Sequence, residues 1–183
     1  FMGEEYGEDA PFLYFISHSD PTLIEAVRQG RKKEFEDFKW KEEPPDPQNL
    51  KTFLKSKINR GKRFEGNHKV LSDFYKKLIT LRRTIPALAL LDKKSLAVDS
   101  PEGEKIMFIR RWKDPSHVFI VFNFNRADVK ITPPVLNGRW KKWLDSSEKI
   151  WNGTGSLLKH ELTPGDEIIM RGHSLVMYSM VKP

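Results

Sequence analysis

The sequence predicts an α+β chain, helical in its first half and built as an all-β antiparallel sandwich in its second, with the change near residue 92. Three observations carry this. Val70, Leu71, Phe74, Tyr75, Leu78, Ile79 and Leu81 recur at the spacing of one helix face. After residue 92 the pattern becomes short β-rich runs separated by turn-forming pairs. At the start, an apolar opening turns within a few residues into the glycine-punctuated acidic stretch Gly3-Glu4-Glu5-Tyr6-Gly7-Glu8-Asp9, and the aromatics Phe12, Tyr14 and Phe15 follow at once. That switch is what the carboxyl end of a buried strand opening into a loop looks like. Because the chain begins on Phe1 with the switch under way, it is expected to be the C-terminal piece of a larger protein.

Taken in order, the first helix is expected from Asp20, whose side chain suits an N-cap, with Pro21 at the first helical position. Leu23, Ile24 and Val27 keep a helical apolar spacing as far as the Gly30 region. Residues 41–67 hold Pro44, Pro45, Pro47, Gly61 and Gly66, which predicts a long irregular loop of the functional kind. The second helix runs from Asn67 and stops at Pro86, with Arg82 and Arg83 in its last turn, where the helix dipole favours cations. Six strands are then expected, at 105–112, 117–124, 129–132, 139–144, 167–170 and 175–181. Asp114-Pro115, Asn137-Gly138, Asn152-Gly153 and Pro164-Gly165 supply turn chemistry between them, and Gly153-Thr154-Gly155 reads as a hairpin turn.

Composition narrows the function classes. The 183 residues are 38% hydrophobic with five Trp and twelve Phe, enough for a core. No apolar run approaches the roughly 18 residues of a membrane span, and no charged-then-apolar leader is present, so neither membrane nor export is expected. The chain has no Cys, which excludes disulfides and thiol chemistry and fits a cytoplasmic location. The net charge of +7 invites a nucleic-acid reading. Against it, Arg28, Arg31, Lys32 and Lys33 are followed by Glu34, Glu36 and Asp37, which describes a solvated mixed-charge face. The most uniform basic stretch, 51–63, with Phe53 and Phe64 at hand for stacking, matches no nucleic-acid motif. No nucleic-acid partner is expected.

His18, His68, His117, His160 and His173 show no ligand spacing, so neither metal nor cofactor is expected. His18 either lines a pocket with the aromatic group or is an ordinary surface histidine. No Gly-x-Ser-x-Gly elbow and no phosphate-binding glycine loop occurs. Asn152-Gly153-Thr154 fits a glycosylation sequon that carries little weight without a secretory signal. Trp112, Trp140, Trp143 and Trp151 admit a second class of function, a carbohydrate-binding or structural β-sandwich module. Two or more exposed, coplanar rings would favour binding; buried rings would favour a shielding domain.

One ordered set of motifs is more specific than any of its pieces: Met2-Gly3-Glu4-Glu5-Tyr6-Gly7-Glu8, Pro11-Phe12, Tyr14-Phe15, Ala26-Val27-Arg28-Gln29-Gly30-Arg31, Pro45-Asp46-Pro47-Gln48, Thr52-Phe53 and Ser56-Lys57. It closely resembles the maltooligosyltrehalose trehalohydrolase family of the α-amylase superfamily, strongly over residues 1 to about 90. Residues 95–183 resemble only in a general way the β-sandwich that follows amylase-type barrels. The resemblance implies that residues 1–92 are the end of a (β/α)8 TIM barrel, its last strand end and helices, and 93–183 the C-terminal β-sandwich domain. It also implies retaining hydrolysis of the α-1,4 bond next to a terminal trehalose unit, by a nucleophile and an acid roughly 5 Å apart. In amylase-type barrels the three catalytic carboxylates end the fourth, fifth and seventh strands. They would precede Phe1, so this chain alone is expected to be inactive, although its parent is an enzyme.

Binding roles remain for the chain. Carboxylates accept paired sugar hydroxyls and aromatic faces cover the C–H faces of a pyranose. Glu4, Glu5, Phe12, Tyr14 and Phe15 therefore suit a trehalose-side subsite, and Asp46 and Gln48, on the proline-stiffened loop, suit sugar hydroxyls. The plainer readings stand beside these: Phe12 and Phe15 packing the loop, Glu4 and Glu5 charging a helix start, Pro-Asp-Pro making a turn. The expected partners are a maltooligosaccharide or trehalose-type substrate and the remainder of the barrel. The apolar faces of Val70, Phe74, Leu78 and Leu81 need the sandwich, another chain or self-association to cover them, and the isolated chain is expected to associate with itself.

Overall fold

The structure, a computed structural model, describes residues 1–37 and 44–181. Contacts divide the chain into a unit from Phe1 to Lys69 and a unit from Val70 onward, and the boundary falls inside a helix. Among the described residues no helix is long and apolar enough to cross a membrane.

The first unit opens with a 3-10 turn, Glu4–Tyr6, followed by an extended stretch and α1, Pro21–Asp37. Asp20 caps α1 as its sequence position suggests, its Oδ1 accepting from the Thr22 and Leu23 amides at 2.8 and 3.4 Å. The helix runs past Gly30 to Asp37, because one glycine inside a helix costs only about 1 kcal/mol and does not end it. The region expected to be one irregular loop contains α2, Leu50–Ser56. Asn49 starts it by accepting from the Lys51 amide at 2.9 Å, and the flanking prolines and glycines hid the short element.

From Val70 onward the second unit holds most of α3, Gly66–Thr84, which spans the predicted amphipathic run, and α4, Pro86–Ala89, starts on the proline that stops α3. Eight strands follow: β1 Leu96–Asp99, β2 Ile106–Lys113, β3 Ser116–Asn123, β4 Val129–Ile131, β5 Trp140–Asp145, β6 Glu161–Leu162, β7 Ile168–Met170 and β8 Ser174–Met180. The six predicted runs are all strands; β1 and β6 are additional and lie at the two sheet edges. The large sheet has the order β1-β2-β3-β8-β5-β6 with antiparallel neighbours, and β4 pairs β7 in a second small sheet.

Both faces of the large sheet are covered, by different means. On one face Ile106, Phe108, Phe119, Val121, Trp140, Val176 and Tyr178 meet Ile168 and Met170 of β7, with Val129 and Ile131 of β4 beside them. On the other, Val118, Leu144 and Met177 meet Leu81, Ala87 and Leu88, flanked by Phe74, Leu78 and Ile85. The sheet buries Leu81 of α3 and packs against Phe74 and Leu78, which stay half-buried. Covered on two sides, β3 and β8 lose polar alternation, and each fully buried apolar side chain contributes about 1.5–3 kcal/mol. Asn123, 1% exposed, is the last residue of β3. Its amide nitrogen donates to the carbonyls of Ala127 and Arg171, and its oxygen accepts from the Asn125 amide, tying the turn after β3 to the turn before β8.

Gly153 and Gly155 do not form the expected hairpin. They belong to a long β5–β6 connection in which Gly155 donates its amide to Ser147 O at 2.8 Å. A Cβ on Gly153 would lie 2.2 Å from that same carbonyl oxygen, so close backbone approach explains the glycine.

The turn before β7 carries a pH-dependent contact. Asp166 accepts from the Thr163 amide at 2.7 Å and hydroxyl at 3.0 Å, and from Lys159 Nζ at 2.8 Å. Lys159 first, then the two Thr163 donors, hold its carboxyl at about 2, below the ordinary 3.8. A depressed folded value stabilises fully above the ordinary one and loses its effect as pH falls through the folded one. The Thr163 amide is therefore expected to shift and lose exchange protection with a midpoint near pH 2; a midpoint near 4 contradicts the contact.

Candidate binding clefts

In the first unit two glycines in the left-handed region, Gly3 at φ 80° and Gly7 at φ 68°, bracket the 3-10 turn. A Cβ on Gly3 would lie 2.6 Å from the Tyr6 ring, so this turn requires glycine there. The geometry sends Tyr6 inward and leaves Glu4 and Glu5 exposed. The engaged carboxylate is Glu8, whose side chain is 2% exposed. Its Oε1 accepts from the Asp9 and Ala10 amides at 3.0 Å, and its Oε2 accepts from the Asn59 amide at 2.6 Å and the Tyr6 hydroxyl at 3.2 Å. Lys62 Nζ lies 3.6 Å from Glu8 and 2.7 Å from Asp9. Enclosure works to raise the Glu8 carboxyl, but the Ala10 and Asn59 amides, Tyr6 and Lys62 together hold it below its usual range. Glu8 thus pins the opening segment to residue 59. Its place in an acidic run did not distinguish it from Glu4 and Glu5, and its long-range partner has no sequence signal.

The aromatic group diverges. Phe12 is 74% exposed and meets Phe1 edge-on at 5.2 Å. Tyr14 lies under the Arg31 guanidinium, 5.1 Å from its centroid. Phe15 turns the other way and meets Phe53 of α2 edge-on at 5.2 Å.

Phe15 and Phe53 define a cleft of about 520 Å3, completed by Ile16, Ser17, Gln48, Asn49 and Leu50. Two predicted residues, Phe15 and Gln48, come together here. The Gln48 side chain mimics a strand partner: its Nε2 donates to His18 O at 2.9 Å and its Oε1 accepts from the His18 amide at 3.3 Å. Ile16 N donates to Pro47 O beside them at 2.9 Å. His18 itself is exposed and enters through its backbone. Among the described residues no titratable side chain lines the cleft, so its walls offer apolar and neutral polar groups and no general acid or base.

Asp46 lies in a neighbouring cleft of about 370 Å3 with Glu25, Arg28, Arg31 and Pro44 to Pro47. Arg28 grips its carboxylate with two nitrogens at 3.0 and 2.9 Å, and the Gln48 amide donates to it at 3.0 Å. Arg28 first, and the Gln48 amide after the opposing effect of enclosure, hold the carboxyl below its usual range. Thr52 Oγ1 donates to Asp46 O at 2.6 Å, which fastens the loop to α2.

Of the four tryptophans singled out, Trp140 is fully buried, Trp112 and Trp151 are half-buried, and Trp143 is exposed. They form no platform of adjacent exposed rings. Among the described residues no group of three or more His, Asp or Glu is gathered to hold a metal.

No family model matches the chain. It is 38% identical over 137 residues to a malto-oligosyltrehalose trehalohydrolase from Rhizobium sp., covering 73% of this chain and 22% of that protein. A malto-oligosyltrehalose trehalohydrolase from Saccharolobus solfataricus is 46% identical over 83 residues, 45% of this chain and 13% of that protein. The chain thus spans about a fifth or less of the length of these curated relatives. Among solved structures, a Salmonella typhimurium protein assigned as an α-amylase superposes with a TM-score of 0.70 at 27% identity, over 99% of this chain and 27% of the other.

Proposed function

We propose that this chain, a relative of the malto-oligosyltrehalose trehalohydrolases of the α-amylase superfamily, supplies substrate-contacting loops and a supporting β unit to a retaining glycoside hydrolase. That enzyme frees trehalose from maltooligosyltrehalose by cleaving the adjacent α-1,4 bond. In this reading residues 1–92 end the catalytic barrel and residues 93–183 are its β domain. The barrel's catalytic carboxylates lie outside the 183 residues, the remainder of the barrel is the chain's partner, and the protein works in the cytoplasm. The isolated chain binds sugar without hydrolysing it and tends to self-associate.

The Phe15–Phe53 cleft is the observation that carries the reading. The Phe15 and Phe53 rings and Leu50 offer apolar surface to the C–H side of a pyranose, Asn49 and Ser17 meet its hydroxyls, and the absence of an acid or base among the described lining residues fits a subsite away from the scissile bond. Gln48 holds the cleft wall through His18, Asp46 holds the adjoining loop through Arg28, and Glu4, Glu5, Phe12 and Tyr14 stand exposed on the opening segment to meet a longer substrate.

The test is trehalose release from maltooligosyltrehalose by the full-length protein that contains this segment. Phe15→Ala and Phe53→Ala are each expected to lower kcat/KM about three- to tenfold, the worth of one aromatic contact, and the 183-residue chain to release none. Unchanged kinetics in both variants would sink the subsite. The 27% identity to the Salmonella protein favours one other reading, an amylase-type parent acting on α-glucan. Glucan shortened without trehalose would select it.

A further inference from the structure

The second unit carries a cleft of about 480 Å3 that the proposed reaction leaves unused. Thr84, Ile85 and Pro86, at the junction of α3 and α4, face the β2–β3 turn from Lys113 to His117, and Trp143, Ser179 and Met180 complete the lining.

The backbone of β5 is shaped to present Trp143 there. Lys142 pairs with Tyr178 and Leu144 with Met177, so Trp143 is the extra residue of a β-bulge. Consecutive strand residues point to opposite faces, yet Leu144 packs with Leu81, Leu88 and Met177 on the helix-bearing face, and Trp143 lines a cleft with the end of α3 on that same face. The bulge lets Leu144 fill the core while the indole turns outward, 45% exposed. Ser179 Oγ accepts the indole N–H at 2.5 Å and holds the ring, and Lys77 Nζ stands over the ring, 5.7 Å from its centroid.

The rest of the lining is mixed in a defined way. Ile85, Pro86, Pro115 and Met180 are apolar. The Asp114 side chain, 86% exposed, stands 3.0 Å from His117 Nε2 and keeps carboxylate lone pairs toward solvent. An apolar peptide would desolvate that carboxylate without pairing it. An anion would meet the carboxylate's charge; among the described residues Lys113 in the lining and Lys77 over the indole are the cations at hand. A neutral pyranose satisfies both parts, its C–H face on the indole and its vicinal hydroxyls on Asp114.

We propose that this cleft is a saccharide-binding site for a single neutral pyranose ring, such as the terminal glucose of an α-glucan, stacked on Trp143 and hydrogen-bonded to Asp114. One exposed indole limits it to one ring. The site belongs to the second unit and stands whether or not the parent enzyme releases trehalose.

The experiment is a maltotriose titration of the 183-residue chain, followed through its indole N–H NMR signals. The Trp143 signal is expected to move and saturate at millimolar sugar while that of buried Trp140 stays fixed. Trp143→Ala and Asp114→Asn are each expected to weaken binding at this site roughly three- to tenfold. A Trp143 signal that stays motionless up to saturating sugar would overturn the proposal. If Trp143→Ala also disturbs the Trp140 signal, Asp114→Asn decides, and unchanged affinity in it overturns the site. Loss of trehalose release with Trp143 still titrating would instead count against the reaction alone.

Discussion

Trp140→Ala is expected to destabilise the β unit by about 3–5 kcal/mol, the range for deleting a large ring from a packed core. Trp140 has no exposed surface and stands edge-on to Phe119 with centroids 6.3 Å apart. Its backbone pairs with Met180 on one side and Leu162 on the other, so it sits where β6 joins the sheet. Its indole N–H donates to Leu136 O at 3.0 Å. Alanine would leave a cavity under the sheet and a carbonyl without its donor, and those two losses add. A typical domain has only about 5–15 kcal/mol to lose, so much of this unit's stability goes with the ring. Urea unfolding followed by circular dichroism reads the effect as a lower midpoint at unchanged slope. Trp143→Ala, on the same strand but exposed, is expected to shift stability by no more than about 0.5–1 kcal/mol. Equal losses at the two positions would contradict the assignment of one ring to the core and the other to a cleft.

That contrast between two tryptophans on one strand marks how far local pattern reaches. Alternation places Trp140 and Trp143 on opposite faces, and they are, but it does not announce the bulge that puts Leu144 beside Trp143 on one face. The helix from 66 to 84 was legible because seven apolar side chains keep one face over several turns. The strands were legible because their runs are bounded by Gly, Pro and Asn. What covers each face was not, since pairing a sheet with α3 and α4 on one side and β4 and β7 on the other depends on contacts between distant segments. The cleft shows the same division. Phe15 and Gln48 were visible as candidates from the motif set, but Phe53 emerges as the facing ring only once α2 forms behind its Asn49 cap. Glu8 could not be told from its acidic neighbours until Gly3 and Gly7, both at positive φ, turned it inward.

Glu8→Ala is expected to damage substrate handling more than loss of any one aromatic contact, because it releases the whole opening segment. One enclosed carboxylate accepts from three backbone amides and a tyrosine hydroxyl, and the Asn59 amide among them is 51 residues away in sequence. Without it, residues 8–10 and the turn at Asn59 lose their common anchor, and Tyr6, Asp9 and Lys62 must rearrange. Phe12, Tyr14 and Phe15 follow within a few residues, so their aim shifts with the segment. Misplacement of about 1 Å costs up to about 100-fold in rate, and kcat/KM for trehalose release by the full-length protein is expected to fall about 10- to 100-fold, chiefly through KM. Glu8→Gln discriminates further: an amide offers one acceptor oxygen where the carboxylate offers two, so either the Ala10 pair or the Asn59 pair meets an N–H donor instead of an acceptor. Amide exchange should then quicken at one of the two sites and not the other. The acid response has a definite sign. A carboxyl held below its ordinary value of 4.5 keeps the anchor intact above that value and releases it only as pH falls beneath it, so this contact contributes no activity change between neutrality and about pH 5. Unaltered exchange at Asp9, Ala10 and Asn59 in Glu8→Ala would show that the segment is held by something other than this carboxylate.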